Sequence, residues 1–169
     1  MITLSQRLKR RTQNDEANTS RASIRDRLLV KEAQEMAQLL PPSCSVHYAN
    51  ENDLSKFTLT VKPTEGYWEG GIFKFDVNVT DEYNMVPPVV KCVTKLWHPN
   101  ITESGEVCLS LLRRHSVDGM GWSPIRRLND VDLLNFEDPL NVEAADMYRH
   151  SKEEFKMKVM EYVANYAKD

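Results

Sequence analysis

The chain has 169 residues, 41% hydrophobic and 28% charged, enough for one compact domain with no room for a second. Its 22 basic and 25 acidic side chains leave a net charge of −3, so a nucleic-acid binder, which needs clustered Lys and Arg, is not expected. No apolar run approaches the ~18 residues of a membrane span, and the opening MITLSQRLKRR has neither the apolar stretch nor the cleavage site of a secretory leader.

Charge is uneven along the chain. Residues 1–31 carry eight basic and three acidic side chains, and the remainder fourteen and twenty-two, so a basic arm precedes an acidic body. Residues 1–22 are expected to form a flexible basic extension and residues 23–169 the folded core, because residues 12–23 contain no large apolar side chain. Met1, Ile2, Leu4 and Leu8 are the large apolar residues of the extension, and Leu4 and Leu8 would share one helix face. They read either as a frayed end or as a short peptide that folds onto a partner's groove.

The core opens with a helix. Ser23 and Asp26 have capping-box spacing, Leu29, Ala33, Met36 and Leu40 form one apolar stripe, and Pro41 and Pro42 end it. Strands are expected at 44–48, at 56–62 (Phe57, Leu59 and Val61 on one face), at 72–79 and at 89–96. The short connections favour an antiparallel meander of four strands. Residues 98–124 read as a coil rich in Gly, Pro, Asn and Ser, long enough to point to function. Two helices follow. Asn141 caps one running to about His150, and Ser151 with Glu154 caps the last, which carries Phe155, Val159, Tyr162 and Tyr166. The class is α+β: N-terminal helix, four-stranded antiparallel meander, long loop, C-terminal helices.

Three cysteines, Cys44, Cys92 and Cys108, are too few and too widely spaced for a disulfide framework or a paired zinc motif, so no metal is expected and a reducing, cytoplasmic or nuclear setting is. Cys92 lies within a β-rich run and reads as a buried packing residue. Cys44 is open between packing and surface. Cys108 sits in the coil, where a thiol is accessible.

The long loop carries the most specific pattern. It reads His98-Pro99-Asn100-Ile101, then Gly105-Glu106-Val107-Cys108-Leu109, then Trp122-Ser123-Pro124, with Tyr83 and Val86-Pro87-Pro88 upstream and Asp138-Pro139-Leu140-Asn141 downstream. From about Ile24 onward this resembles the ubiquitin-conjugating enzyme family. The opening MITLSQRLKRR, Lys91-Cys92, the run from Cys108 to Arg113 and Asn141-Val142-Glu143-Ala144-Ala145 resemble its neddylation branch, and HSVDGMG between Arg114 and Trp122 matches the F-type rather than the M-type of that branch.

The resemblance implies the ubiquitin-conjugating fold and a transferase that needs no cofactor. Such an enzyme takes a ubiquitin-like modifier from a heterodimeric activating enzyme and passes it to a cullin lysine alongside a RING-type ligase. Cys108 would carry the modifier as a thioester, since a thiol serves as both nucleophile and leaving group at neutral pH. Asn100 would stabilise the oxyanion or order the loop, and its amide donates at any pH. His98 would brace the loop rather than pair with the cysteine, and Pro99 would set the turn. Asp138 would orient the acceptor amine, although Asp before Pro is also common at the start of a helix. Met1, Ile2, Leu4 and Leu8 would meet the activating enzyme or ligase.

One departure stands out. Leu128-Asn129-Asp130-Val131 runs directly into Asp132-Leu133-Leu134, so about nine residues of the family's crossover helix, roughly 13 Å at 1.5 Å per residue, are missing. Two alternatives therefore stand beside the neddylation enzyme. One is a ubiquitin-conjugating enzyme proper, and the other is a binding module with impaired catalysis.

Overall fold

The computed structural model describes residues 24–83, 85–108, 112 and 139–168. Helix α1 spans Ile24–Leu39 and is followed by strands β1 (Cys44–His47), β2 (Lys56–Val61), β3 (Phe73–Asn78) and β4 (Val89–Cys92). Helices α2 (Val142–His150) and α3 (Lys152–Tyr166) come last. The sheet order is β1-β2-β3-β4 with every pair antiparallel, so the expected meander and α+β class are borne out. Among the described residues no helix is long and apolar enough to cross a membrane.

The register explains the two faces of the sheet. Phe57 pairs with Val77, Leu59 with Phe75 and Val61 with Phe73, and Phe75 and Val77 pair in turn with Cys92 and Val90. Side chains alternate along a strand, so these residues share one apolar face while Lys56, Thr58, Thr60, Lys74 and Asp76 occupy the other. On that polar face the Thr58 hydroxyl donates to Asp76 at 2.9 Å.

The apolar face supports two clusters. At one end Leu29 and Met36 of α1 pack with Phe57, Val77, Val79 and Tyr83. At the other, Phe155, Val159 and Val163 of α3 pack with Phe73, Cys92 and Trp97. Leu59 and its strand partner Phe75, which packs against the second cluster, are half-buried.

Three sequence expectations shift. The fourth strand ends at Cys92 rather than at residue 96. Thr94 causes this: its Oγ1 accepts the Lys74 N–H at 3.0 Å, so a side chain takes the place of the next ladder partner. In α1, Leu29 and Met36 are buried as expected, but Glu32 is buried between them and Ala33 is half-buried. In α3 the buried stripe is Phe155, Val159 and Val163, while Tyr162 is half-buried and Tyr166 exposed. A strict four-residue step selects Val163, and the tyrosines stand at the edge of that stripe.

The caps agree with the sequence. The Asn141 side chain accepts the Ala144 N–H at 3.0 Å, and Ser151 Oγ accepts the Glu154 N–H at 3.4 Å. The proposed Ser23 cap and the extension (Met1, Ile2, Leu4 and Leu8 included) lie outside the described residues. So do Asp138, the WSP segment and the junction at 128–134 where the sequence reading places the missing residues.

Candidate active site

The segment after β4 folds into a braced hairpin. Ile101 bridges Val107, and Lys91 of β4 bridges Glu106. Thr102 closes the tip: its N–H donates to Glu106 O at 3.0 Å, its Oγ1 accepts the Glu106 N–H at 3.0 Å, and its carbonyl accepts the Gly105 N–H at 3.0 Å. Gly105 has φ +86°, and its carbonyl accepts the Cys92 N–H at 2.8 Å. A Cβ at this position would stand 2.0 Å from the Cys92 carbonyl oxygen, so only glycine lets the hairpin lie against β4. The Tyr162 hydroxyl donates to the Glu103 carboxylate at 2.5 Å and pins the tip to α3. That hydrogen bond, with a smaller contribution from desolvation, pushes the Tyr162 phenol up to about 12.

His98, Pro99 and Asn100 form the base of the hairpin, and all three are buried. His98 Nδ1 accepts the Asn100 N–H at 2.9 Å. Its ring centroid lies 4.8 Å from that of Trp68, whose indole N–H donates to the Trp97 carbonyl at 3.1 Å. Burial pushes the imidazole down to about 4, so His98 is neutral at physiological pH with one ring nitrogen committed to the backbone. That is the chemistry of a brace.

Two main-chain bonds assemble the motif residues. The Cys108 N–H donates to the Asn100 carbonyl at 2.9 Å, which places the thiol residue against the buried asparagine eight positions earlier. The Asn141 N–H donates to the Pro99 carbonyl at 2.8 Å, which ties the Pro139-Leu140-Asn141 turn to the same base. Asn141 therefore caps α2 with its side chain and anchors the turn with its backbone. The residue before that turn, Asp138, lies outside the described residues.

The cysteines differ by environment. Cys108 is half-exposed and its sulfur is not in a disulfide. Cys92 is buried, its S–H donates to the Thr94 carbonyl at 3.1 Å, and desolvation pushes its thiol up to about 12, so it stays protonated and inert. Cys44 is half-buried on β1. Among the described residues no group of three or more His, Cys, Asp or Glu is placed to hold a metal.

Sequence reasoning passed over Thr102, Trp68 and Glu103, which hold the hairpin. Thr102 had a local signal, because Thr-x-x-Gly is a natural tight turn. Trp68 and Glu103 act across 29 and 59 residues of sequence and had none.

A braced loop carrying a half-exposed cysteine beside a buried asparagine, on a four-stranded meander flanked by helices, is an arrangement of the ubiquitin-conjugating class. The chain belongs to that family: the ubiquitin-conjugating enzyme model matches residues 28–163. It is 52% identical over 185 residues to the NEDD8-conjugating enzyme UBE2F of Rattus norvegicus, covering 99% of this chain and 100% of the relative. The Homo sapiens protein of the same name is 52% identical over 187 residues, covering 99% of this chain and 100% of the relative. NEDD8-conjugating enzyme ubc-12 of Caenorhabditis elegans is 40% identical over 179 residues, covering 98% of this chain and 99% of the relative. Each alignment spans more positions than the 169 residues of this chain, so each relative carries residues with no counterpart here.

Proposed function

We propose that this chain is a neddylation-conjugating transferase that carries NEDD8 as a thioester on Cys108 and delivers it to a cullin lysine. The supporting observation is the half-exposed Cys108 bonded through its backbone to the buried Asn100, in a chain about half identical to NEDD8-conjugating enzymes over their full length. In the first step the Cys108 thiolate attacks the thioester on a heterodimeric activating enzyme. A new C–S bond forms, the activating enzyme's cysteine leaves, and the modifier is transferred. In the second step a lysine amine attacks the same carbonyl, the isopeptide bond forms, and Cys108 leaves as thiolate.

Each step passes through a tetrahedral oxyanion, which a fixed donor stabilises. Asn100 is the residue we assign to that charge, and its burial in the braced hairpin keeps it from reorganising. The acceptor lysine is protonated in water, with an ordinary pKa of about 10.4, so it must lose a proton near the site. Asp138, next to the turn anchored on Pro99, is assigned to orient that amine. A carboxylate by itself favours the ammonium, so the gain comes from positioning and desolvation. Residues 1–22 are assigned as a separate recognition peptide, with Met1, Ile2, Leu4 and Leu8 meeting the activating enzyme and a RING-type ligase.

Incubation with the NEDD8 activating enzyme, NEDD8 and ATP should give a reductant-sensitive adduct on a non-reducing gel. Cys108→Ser should convert it to a reductant-resistant ester, and the ubiquitin activating system should charge the chain poorly. Efficient ubiquitin charging without NEDD8 charging would select the ubiquitin-conjugating alternative, and no adduct with either would leave a binding module.

A second reading concerns transfer. The relatives' additional residues and the short crossover segment favour a chain that charges normally but discharges slowly. Discharge to free lysine at the same rate as a version with the missing turns restored would refute it.

A further inference from the structure

Tyr162 of α3 meets the active-site hairpin at two points. Its ring lies 5.5 Å from that of Trp97, the residue before His98, and its hydroxyl donates to the Glu103 carboxylate at the tip at 2.5 Å. His98, Pro99, Asn100, Ile101 and Thr102 run between those points. One side chain therefore holds both the entry and the tip of the stretch that carries Asn100. The ring has neighbours on its own helix as well, Tyr166 at 5.4 Å and the Lys158 ammonium at 5.5 Å. Lys158 also lies 5.8 Å from the Trp97 ring and 3.2 Å from the Glu161 carboxylate.

The other ties on the hairpin come from different directions. Gly105 joins the tip to β4, Asn141 joins the base to the start of α2, and Thr102 closes the tip on itself. The hydroxyl of Tyr162 grips the tip from the side of α3. The ladder it steadies is short: Ile101 bridges Val107, and next to that bridge the Cys108 N–H meets the Asn100 carbonyl. A two-stranded hairpin of this length is marginal without outside support, so freeing its tip loosens the pairing at its base.

We propose that Tyr162 and Glu103 are a positioning pair for acyl transfer, whose bond at the tip keeps Asn100 and Cys108 in register so that the amide donor and the sulfur meet the same carbonyl. The inference rests on the reading of Cys108 as the acyl carrier and of Asn100 as the oxyanion donor. A hydrogen bond at the surface adds little to global stability. Stabilisation of a tetrahedral oxyanion, by contrast, depends steeply on where the donor stands. Loss of the bond is therefore felt in the chemical step and not in the melt.

The test compares the full chain with Tyr162→Phe, Glu103→Ala, the double variant and Glu103→Gln. Tyr162→Phe keeps the ring beside Trp97 and Lys158 and loses only the hydroxyl. Each of the first two variants should melt within about 2 °C of the parent. Each should exchange the Cys108 amide about threefold faster or more. Discharge of the NEDD8 thioester to free lysine should show kcat lowered about threefold or more, with the KM for lysine nearly unchanged. The double variant should be no worse than either single change, because both remove the same bond. Glu103→Gln keeps a carbonyl oxygen that accepts from the Tyr162 hydroxyl and should retain parental exchange and discharge.

Unchanged exchange at Cys108 in Tyr162→Phe, or faster exchange with unchanged discharge, would overturn the proposal. Additive losses in the double variant would overturn it too, since the two side chains would then act separately, as would a fall in Tm large enough to take charging and discharge down together. If the parent chain forms no adduct with NEDD8, the reading of Cys108 fails and the transfer role falls with it, while exchange of the Cys108 amide still shows whether the tether holds the hairpin.

Discussion

Individual residues are where this site meets solvent conditions. His98 stays neutral in the fold down to about pH 4, whereas an unfolded chain protonates it near 6.5. Its folded pKa is depressed, so the stability it confers is fully present above pH 6.5 and is lost as pH falls toward 4, a total of about 3 kcal/mol. His98→Asn retains a side-chain oxygen in place to accept the Asn100 N–H and does not titrate. Denaturant unfolding between pH 7 and 5 should therefore show a smaller loss of stability for this variant than for the parent. Gly105→Ala should cost more than about 2 kcal/mol, because a Cβ would meet the Cys92 carbonyl at a left-handed φ. The same melts should show it, with faster exchange at the Cys92 amide. The motif around these residues was legible in the sequence. The reason for its rigidity was not, since the Cys92 carbonyl and the Trp68 ring reach the loop only after the chain has folded.

Elements place those residues. Helix α2 starts at the turn that grips Pro99, and Asn141 does both jobs with different atoms. Asn141→Ala removes the cap but keeps the backbone bond to Pro99. It should cost about 1 kcal/mol, seen as a fall of roughly 2–4 °C in Tm for a domain of this size, without breaking the hairpin base. The first helix shows what pattern reading leaves out. Periodicity located Leu29 and Met36 correctly, yet it had no means of placing a glutamate between them, because a partner of Glu32, Tyr83, lies on a distant loop. The fourth strand shows the same limit. A β-rich run of residues extends past Cys92, but one threonine hydroxyl takes over a ladder position and ends the pairing.

At the scale of the whole molecule, two cores sit at opposite ends of one sheet face, with half-buried Phe75 packed against one of them and its partner Leu59 half-buried beside it. By resemblance, about nine residues of the family's crossover helix are missing from the sequence, at a junction that lies outside the described residues. Restoring them should raise the rate of lysine discharge more than the rate of charging, as the transfer defect proposed above requires.

The sequence by itself determined the class of fold, the family and the candidate nucleophile. Alternation, caps and turn residues are local signals, and the spacing of HPN to cysteine is a covalent fact that survives unfolding. Only the tertiary structure decided that His98 is a neutral brace, that Cys92 is held inert, that Asn100 and Cys108 share a backbone bond and that Glu32 reaches Tyr83. Each depends on desolvation or on a hydrogen bond between groups that come close only when the two ends of the sheet are packed.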